Sequence, residues 1–358
     1  MKARWVFGIA ALALLHGGCS NLGYYVHSVK GHLGLMAARQ PIDEMLRDPR
    51  TPETLRRRLE TVADIRAFAT DELQLPDTGS YRSYVDVDGP YVVWTVVAAP
   101  ELSLTPEQWC FPIVGCVTYR GFYDRERARA YADELSRSGL DVTVNGVRAY
   151  STLGWFDDPV PDTILVLPDY AIAAVVFHEL AHERFYVPGD SAFNEGFAVA
   201  VERAGVTRWL EARRRAQERA SFALAEAREA AFLELVSHAR AQLSRLYESD
   251  TTEAEKRRLK AEIFGALRAQ YVELRSGWTD GPNYDRWFAE ELNNAKLASV
   301  ATYHELVPAF ERLLADNDGE LGRFYQACEA IGELGPEERR RRLEALTKAA
   351  VDTGTERK

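Results

Sequence analysis

The sequence predicts an α+β protein, mainly helical, in which a small β part precedes a central pair of helices. Three observations predict it. Helical patterns fill most of the chain, in Thr51 to Leu75, Val206 to Leu246, Glu253 to Arg275 and Gly335 to Ala350. β-type runs rich in Val and Tyr are confined to Tyr84 through Val147. Between them lies Ala171 to Glu202, where the apolar run Ala171 to Phe177 leads into a helix that Pro188-Gly189 must stop before a second amphipathic segment begins.

In chain order, Met1 to Gly18 carries Lys2 and Arg4, the apolar run Trp5 to Leu15 and then small residues, the pattern of a secretory signal peptide. Eleven apolar residues fall short of the roughly 20 that a membrane-spanning helix needs. Leu15-His16-Gly17-Gly18-Cys19 resembles a bacterial lipobox, although His16 stands where Leu is usual. That resemblance implies lipidation of Cys19 and, with Ser20 following, an exported protein anchored in the outer membrane and facing the periplasm. The plain alternative is a signal peptide with an incidental cysteine. After residues 1–18, the chain divides into a helical and β region over 19–125 and a region over 126–358 that contains the motifs below; 19–358 is also consistent with one continuous domain.

The remaining 340 or so residues suffice for a sizeable core. Hydrophobic content of 46% and charged content of 27% are those of a globular protein. A net charge of −10 excludes nucleic acid as a partner, because phosphate binding needs a basic face. Cys110 and Cys116 are close enough in sequence for a disulfide to staple their loop, and two buried thiols are the alternative; an oxidising compartment favours the disulfide. Cys328 is left over and reads as a buried apolar residue, and without paired CxxC motifs a cysteine metal site is not expected.

Asn21 to Leu46 reads as one helix. Its His27 and His32, five apart, are not placed on one face by that spacing and read as structural or solvent-facing. Thr51 to Leu75 is a helix with Leu55, Leu59, Val62, Ile65 and Phe68 inward and a solvated arginine run, Arg56 to Arg58. Tyr84 to Ala99 reads as a hairpin through Asp88-Gly89, Val117 to Phe122 as a strand, Asp124 to Gly139 as a helix, and Asp141 to Val147 as a hairpin through Asn145-Gly146.

His178-Glu179-Leu180-Ala181-His182 is an HExxH motif. Residues four apart on a helix are about 6 Å apart along the axis and about 40° apart around it, so both imidazoles can reach one ion. Glu179, beside them, can reach a water there but is poorly aimed as a ligand. Glu195 follows His182 by thirteen positions, and a helix reversal at Pro188-Gly189 brings it back alongside the histidines. Two imidazoles, a third ligand and an open fourth position are what a zinc hydrolase needs. The bland reading is two core histidines on an apolar helix.

HELAH followed by NEGFA resembles the glutamate zincins, in which the Glu of an NE-containing helix is the third zinc ligand. Further stretches, Trp109 to Asp124, Ala149 to Val160 and Phe177 to Ala198, are similar to the bacterial putative aminopeptidase family across nearly the whole mature chain. The resemblance implies a zincin-like core with a small β-sheet beside the HExxH helix, one zinc ion on His178, His182 and Glu195, Glu179 as general base, and a peptide substrate. Two departures stand out: no GxMEN-type segment precedes the motif, and the spacing to Glu195 is shorter than in better-known zinc aminopeptidases. An edge strand beside the helix would bind the substrate backbone; Ala149 to Phe156 and Thr163 to Leu167 are the two candidates.

Glu202, seven positions after Glu195, either orients a ligating histidine or makes a surface salt bridge. Asp157-Asp158 before Pro159 reads as a turn, with binding of a substrate amine as the alternative. Residues 206–275 read as a long antiparallel helical hairpin broken at Glu248 to Thr252, an arm or a wall over the site, with His238 on its surface. Tyr303 is the candidate donor to the oxyanion, with His304 as substitute and a core tyrosine as the bland reading. An envelope endopeptidase or wall-peptide amidase with the same chemistry, and a scaffold whose metal only joins two helices, are the rival functions.

Overall fold

The computed structural model describes residues 23–111, 115–149 and 151–355. The expected signal segment and Cys19 lie outside the described residues. The strands are β1 (Gln40–Pro41), β2 (Ser83–Val85), β3 (Val93–Pro100), β4 (Trp109–Phe111), β5 (Gly115–Val117), β6 (Arg120–Phe122), β7 (Leu140–Val147) and β8 (Val160–Pro161). The helices are α1 (23–38), α2 (Ile42–Arg47), α3 (Glu53–Asp71), α4 (Arg125–Arg137), α5 (Asp162–Leu165), α6 (Asp169–Arg184) and α7 (Ser191–Ala212). There follow α8 (Ala216–Glu248), α9 (Glu253–Ser276), α10 (Asp285–Ala289), α11 (Asn294–His304), α12 (Val307–Asp316), α13 (Leu321–Gly332) and α14 (Pro336–Thr355). The protein is mainly helical with small sheets.

The helix expected over Asn21 to Leu46 is two helices, α1 and α2, parted by β1. Pro41 has no N–H to continue a helix and disfavours helical backbone in the residue before it. On α3, Leu59, Val62, Ile65 and Phe68 are buried as the pattern requires. Of its arginine run only Arg57 is solvated: Arg56 donates to the carbonyls of Leu46 and Asp48, and Arg58 to those of Leu165 and Leu167 and to Asp169. Helix ends leave carbonyls without donors, and these guanidinium groups supply them.

The β part is three small sheets. β2 pairs antiparallel with β1 and parallel with β8, whereas β3 is the centre strand between β6 and β7, antiparallel to both. The expected hairpin at Asp88-Gly89 is therefore a connection between sheets. Nor does Asn145-Gly146 turn the chain: β7 runs straight through it, with Asn145 opposite Thr95 and Gly146 opposite Trp94. The Tyr91 ring lies where a side chain at 146 would stand, 2.3 Å from an ideal Cβ, which accounts for the glycine without a turn. Residues 117–122 are split between β5 and β6 of different sheets, and β6 and β7, on either side of residues 125/126, both pair with β3.

β4 and β5 are joined by a disulfide between Cys110 and Cys116. The start of β5 packs on the reversal between α6 and α7. A Cβ at Gly115 would lie 2.6 Å from the Gly189 nitrogen, and both glycines have positive φ, 76° and 82°.

α6 and α7 form the centre of the largest core: α7 buries residues on every side, and α6 the broad face of Ile172, Ala173, Val176, Phe177, Leu180 and Ala181. Phe177 and Leu180 of α6 meet Phe193, Phe197 and Trp209 of α7, with Phe310 and Phe324 closing from α12 and α13. Cys328 is buried there. The helical hairpin is α8 and α9, reversing at Ser249 to Thr252; Val206 belongs instead to α7, which ends at Ala212 before Arg214 at φ 53°. The hairpin has its own core, in which Tyr284 stacks on Phe232 and Phe288 on Tyr271, each at 3.9 Å. Arg203 of α7 ties it to the centre through Glu226 and Glu229 and reaches Glu311 as well.

Candidate metal centre

The helix spacing does locally what the sequence requires. His178 and His182 leave the same face of α6, with their Nε2 atoms 3.2 Å apart. α7 runs back beside α6 and presents Glu195 from its first turns; its Oε2 lies 3.2 Å from His178 Nε2 and 3.6 Å from His182 Nε2. Among the described residues these three form the one group of His, Cys, Asp or Glu side chains able to hold a metal ion.

The geometry fits such an ion. Four ligands at the 2.0–2.1 Å typical of zinc and imidazole stand about 3.3 Å apart at the corners of a tetrahedron, close to the three separations observed. His182 and Glu195 are buried, so the converging charge is screened from water. Burial alone would push the Glu195 carboxyl up, but the two imidazoles outweigh it and hold it down at about 2. Burial likewise opposes a charge on His178, yet its hydrogen bonds with Glu195 and Glu202 outweigh it and lift its pKa well above the ordinary histidine value.

Two contacts position these groups. Glu202 Oε2 lies 3.0 Å from His178 Nδ1, so that Nδ1–H can donate to the carboxylate while Nε2 faces the centre. Asn194 holds the reversal: its Oδ1 accepts from Val187 N–H at 2.8 Å and its Nδ2 donates to the Val187 carbonyl at 2.8 Å. Asp190 caps α7 by accepting from the Phe193 N–H, and Arg339 of α14 holds its other oxygen at 2.7 Å.

A cavity of about 240 Å³ opens onto His178, His182 and Glu195. Glu179 lines it, and burial first, then the neighbouring carboxylates, raise its pKa against the pull of the two imidazoles. Tyr303 lines the same cavity; the negative charge of Glu195, and then burial, keep its hydroxyl protonated well beyond the ordinary range. His304 does not share this position. Consecutive helix residues point about 100° apart, and its ring lines a separate cavity between α8 and α11.

The remaining expectations are redistributed. Thr163 to Leu167 is not a strand, because 162–165 form α5, and 151–156 carry no ladder; Ala149, Ser151 and Leu153 nonetheless line the cavity beside Val93, Thr95 and Val147 of the β3–β7 pair. Neither Asp157 nor Asp158 reaches the cavity. Asp158 is buried and staples its own loop, accepting from Thr152 N–H at 2.6 Å and Thr152 Oγ1 at 2.9 Å. The helical hairpin supplies no cavity residue and is an arm, not a wall. Sequence reasoning missed Tyr119 and Tyr186, whose hydroxyls are both raised by burial and by the Glu195 charge. The only signal for Tyr119 was its place in the stretch Trp109 to Asp124.

Fold and site together define a mainly helical protein with a helix-borne HExxH pair and a glutamate from the antiparallel helix. The chain belongs to the family described as putative aminopeptidase, which it matches over residues 23–343. No curated protein and no solved structure matches it.

Proposed function

We propose that this aminopeptidase-family chain is a zinc-dependent peptidase in which His178, His182 and Glu195 hold one zinc ion and Glu179 is the general base. The observation that carries the reading is the convergence of three ligand atoms at the floor of a cavity that Glu179 also lines. Zinc, when bound, supplies a Lewis acid that polarises a peptide carbonyl and lets water lose a proton near neutral pH. Glu179, with its carboxyl raised by burial, takes that proton and delivers it to the leaving amine. Tyr303 donates its hydroxyl hydrogen to the carbonyl oxygen as negative charge develops there. Glu202 fixes the ring of His178 through Nδ1–H. Lipidation of Cys19 would hold the exported enzyme on the outer membrane, facing the periplasm.

The test is Glu179→Gln. The variant keeps its zinc and loses turnover of peptide; unchanged turnover would sink the assignment, and a scaffold would behave in that way. A second reading, an endopeptidase with the same chemistry, is favoured by one observation: among the described residues, Glu179 and Glu195 are the carboxylates that line the cavity, with no third to pair with a free substrate amine. Peptides with free and with blocked amino termini separate the two, since an aminopeptidase cleaves only the former.

A further inference from the structure

Helix α1 is amphipathic in an unusual sense. Its inward positions, Tyr24, His27, Ser28, Gly31, His32 and Leu35, are partly buried against the body of the protein. Tyr24 lies edge-on to Phe122 with the Arg120 guanidinium 3.9 Å over its ring, and Gly31 lets the Tyr123 ring close onto the helix. The outward face, where a soluble helix carries charge, is instead apolar. Val26, Val29 and Leu33 are 61, 57 and 55% exposed. Lys30 is the one charged residue of this face. From Ser20 to Ile42 there is no Asp or Glu at all, in a chain that has 54.

The loop over 151–158 extends this surface. Phe156 packs against His32 with ring centroids 4.5 Å apart, and Arg39 donates to the Asp157 carbonyl at 3.0 Å. Trp155, at its tip, is 66% exposed. A tryptophan and aliphatic side chains with a nearby lysine match the boundary between lipid head groups and acyl chains, and the one acidic neighbour of Phe156, Asp157, turns its carboxylate onto Gly79.

We propose that the outward face of α1, together with Trp155 and Phe156, docks on a phospholipid bilayer. The inference rests on the reading of Cys19 as a lipidated residue, and chain length supplies the occupant. The four residues from Cys19 to Gly23 span at most about 14 Å, so a lipid on Cys19 places the start of α1 at the bilayer surface. Among the described residues no helix is long and apolar enough to cross a membrane, so the face lies on the bilayer and not through it. Ser151 and Leu153 of the same loop line the cavity, so docking brings the cavity wall to the membrane.

The test uses the mature lipidated chain in vesicles with brominated acyl chains. Tryptophan emission is quenched, and Trp155→Phe removes the quenched component. In parallel, the full mature chain with Cys19→Ser, which has no lipid, partitions onto phospholipid vesicles; adding Val29→Glu and Leu33→Glu weakens that partitioning about tenfold or more while metal content and turnover of a short soluble peptide stay unchanged. Equal quenching in the native chain and Trp155→Phe overturns the proposal, as does equal partitioning with and without the two glutamates. A chain that ignores vesicles but dimerises in solution, and loses the dimer with the same two glutamates, overturns it in favour of a second copy. The intact mass of the native chain reads the lipid on Cys19 separately, so a missing lipid and a missing membrane contact are told apart.

Discussion

Asn194 grips Val187 by both of its backbone groups, at 2.8 Å each, across the reversal that joins α6 to α7. The amide therefore sets the turn, and Glu195 next to it inherits its position. Truncation leaves the Val187 N–H buried without this partner, and the Val187 carbonyl with the Asp190 N–H at 3.2 Å. Asn194→Ala should destabilise the metal-free protein by about 1–3 kcal/mol and lower its zinc affinity together. Urea unfolding and chelator competition measure the two; a variant unchanged in both would mean that Glu195 is positioned by something else.

Glu202 is expected to act on the metal through His178. Its hydrogen bond to Nδ1 fixes which nitrogen faces the centre, and loss of such a partner typically weakens metal binding about 10–100-fold. Glu202→Gln should show that loss in chelator competition while recovering turnover at saturating zinc. A mere surface salt bridge would leave the affinity as it was.

What the sequence disclosed about the site was what a helix encodes locally. The spacing of His178 and His182 fixes a shared face, and Pro188-Gly189 marks the reversal, so the convergence of His178, His182 and Glu195 was legible without any long-range information. The strand pairings were not. Asp88-Gly89 and Asn145-Gly146 are good turn dipeptides, yet β3 found its partners at 120–122 and 140–147, because pairing is decided by which strands share the core. Arg58 looked like one of three solvated charges until the uncapped carbonyls of Leu165 and Leu167 came within its reach. Tyr119 was hidden for the same reason, since its place in the cavity follows from β5 packing on the α6–α7 turn.

The pH dependence of stability should show Asp158. The residue is 1% exposed, and burial pushes its carboxyl up to about 7 although the hydrogen bonds from Thr152 pull it down. A carboxyl whose pKa is higher in the folded than in the unfolded chain holds its proton better when folded. Its contribution to stability is complete below the ordinary carboxylate range and is lost as the pH rises through about 7. Asparagine cannot ionise, so the stability gap between Asp158→Asn and the native protein should move steadily in the variant's favour from about pH 5 to about pH 8. Urea midpoints at stepped pH values measure the gap; one that does not change with pH rejects the buried, protonated carboxyl.

Two hydroxyls compete for the role of donor to the developing oxyanion. Tyr303 stands on α11 and Tyr119 at the β5–β6 connection, both line the cavity, and both stay protonated beside the Glu195 charge, so each can give a hydrogen bond throughout the reaction. Loss of one such donor commonly lowers kcat by about 10²–10³ with KM little changed, because the bond strengthens only as charge develops. Tyr303→Phe is expected to show that split with its zinc intact, and Tyr119→Phe to show a smaller loss. The reverse ranking would move the oxyanion towards the sheet side of the cavity. Equal losses confined to KM would make both tyrosines substrate contacts and leave the oxyanion to the metal alone.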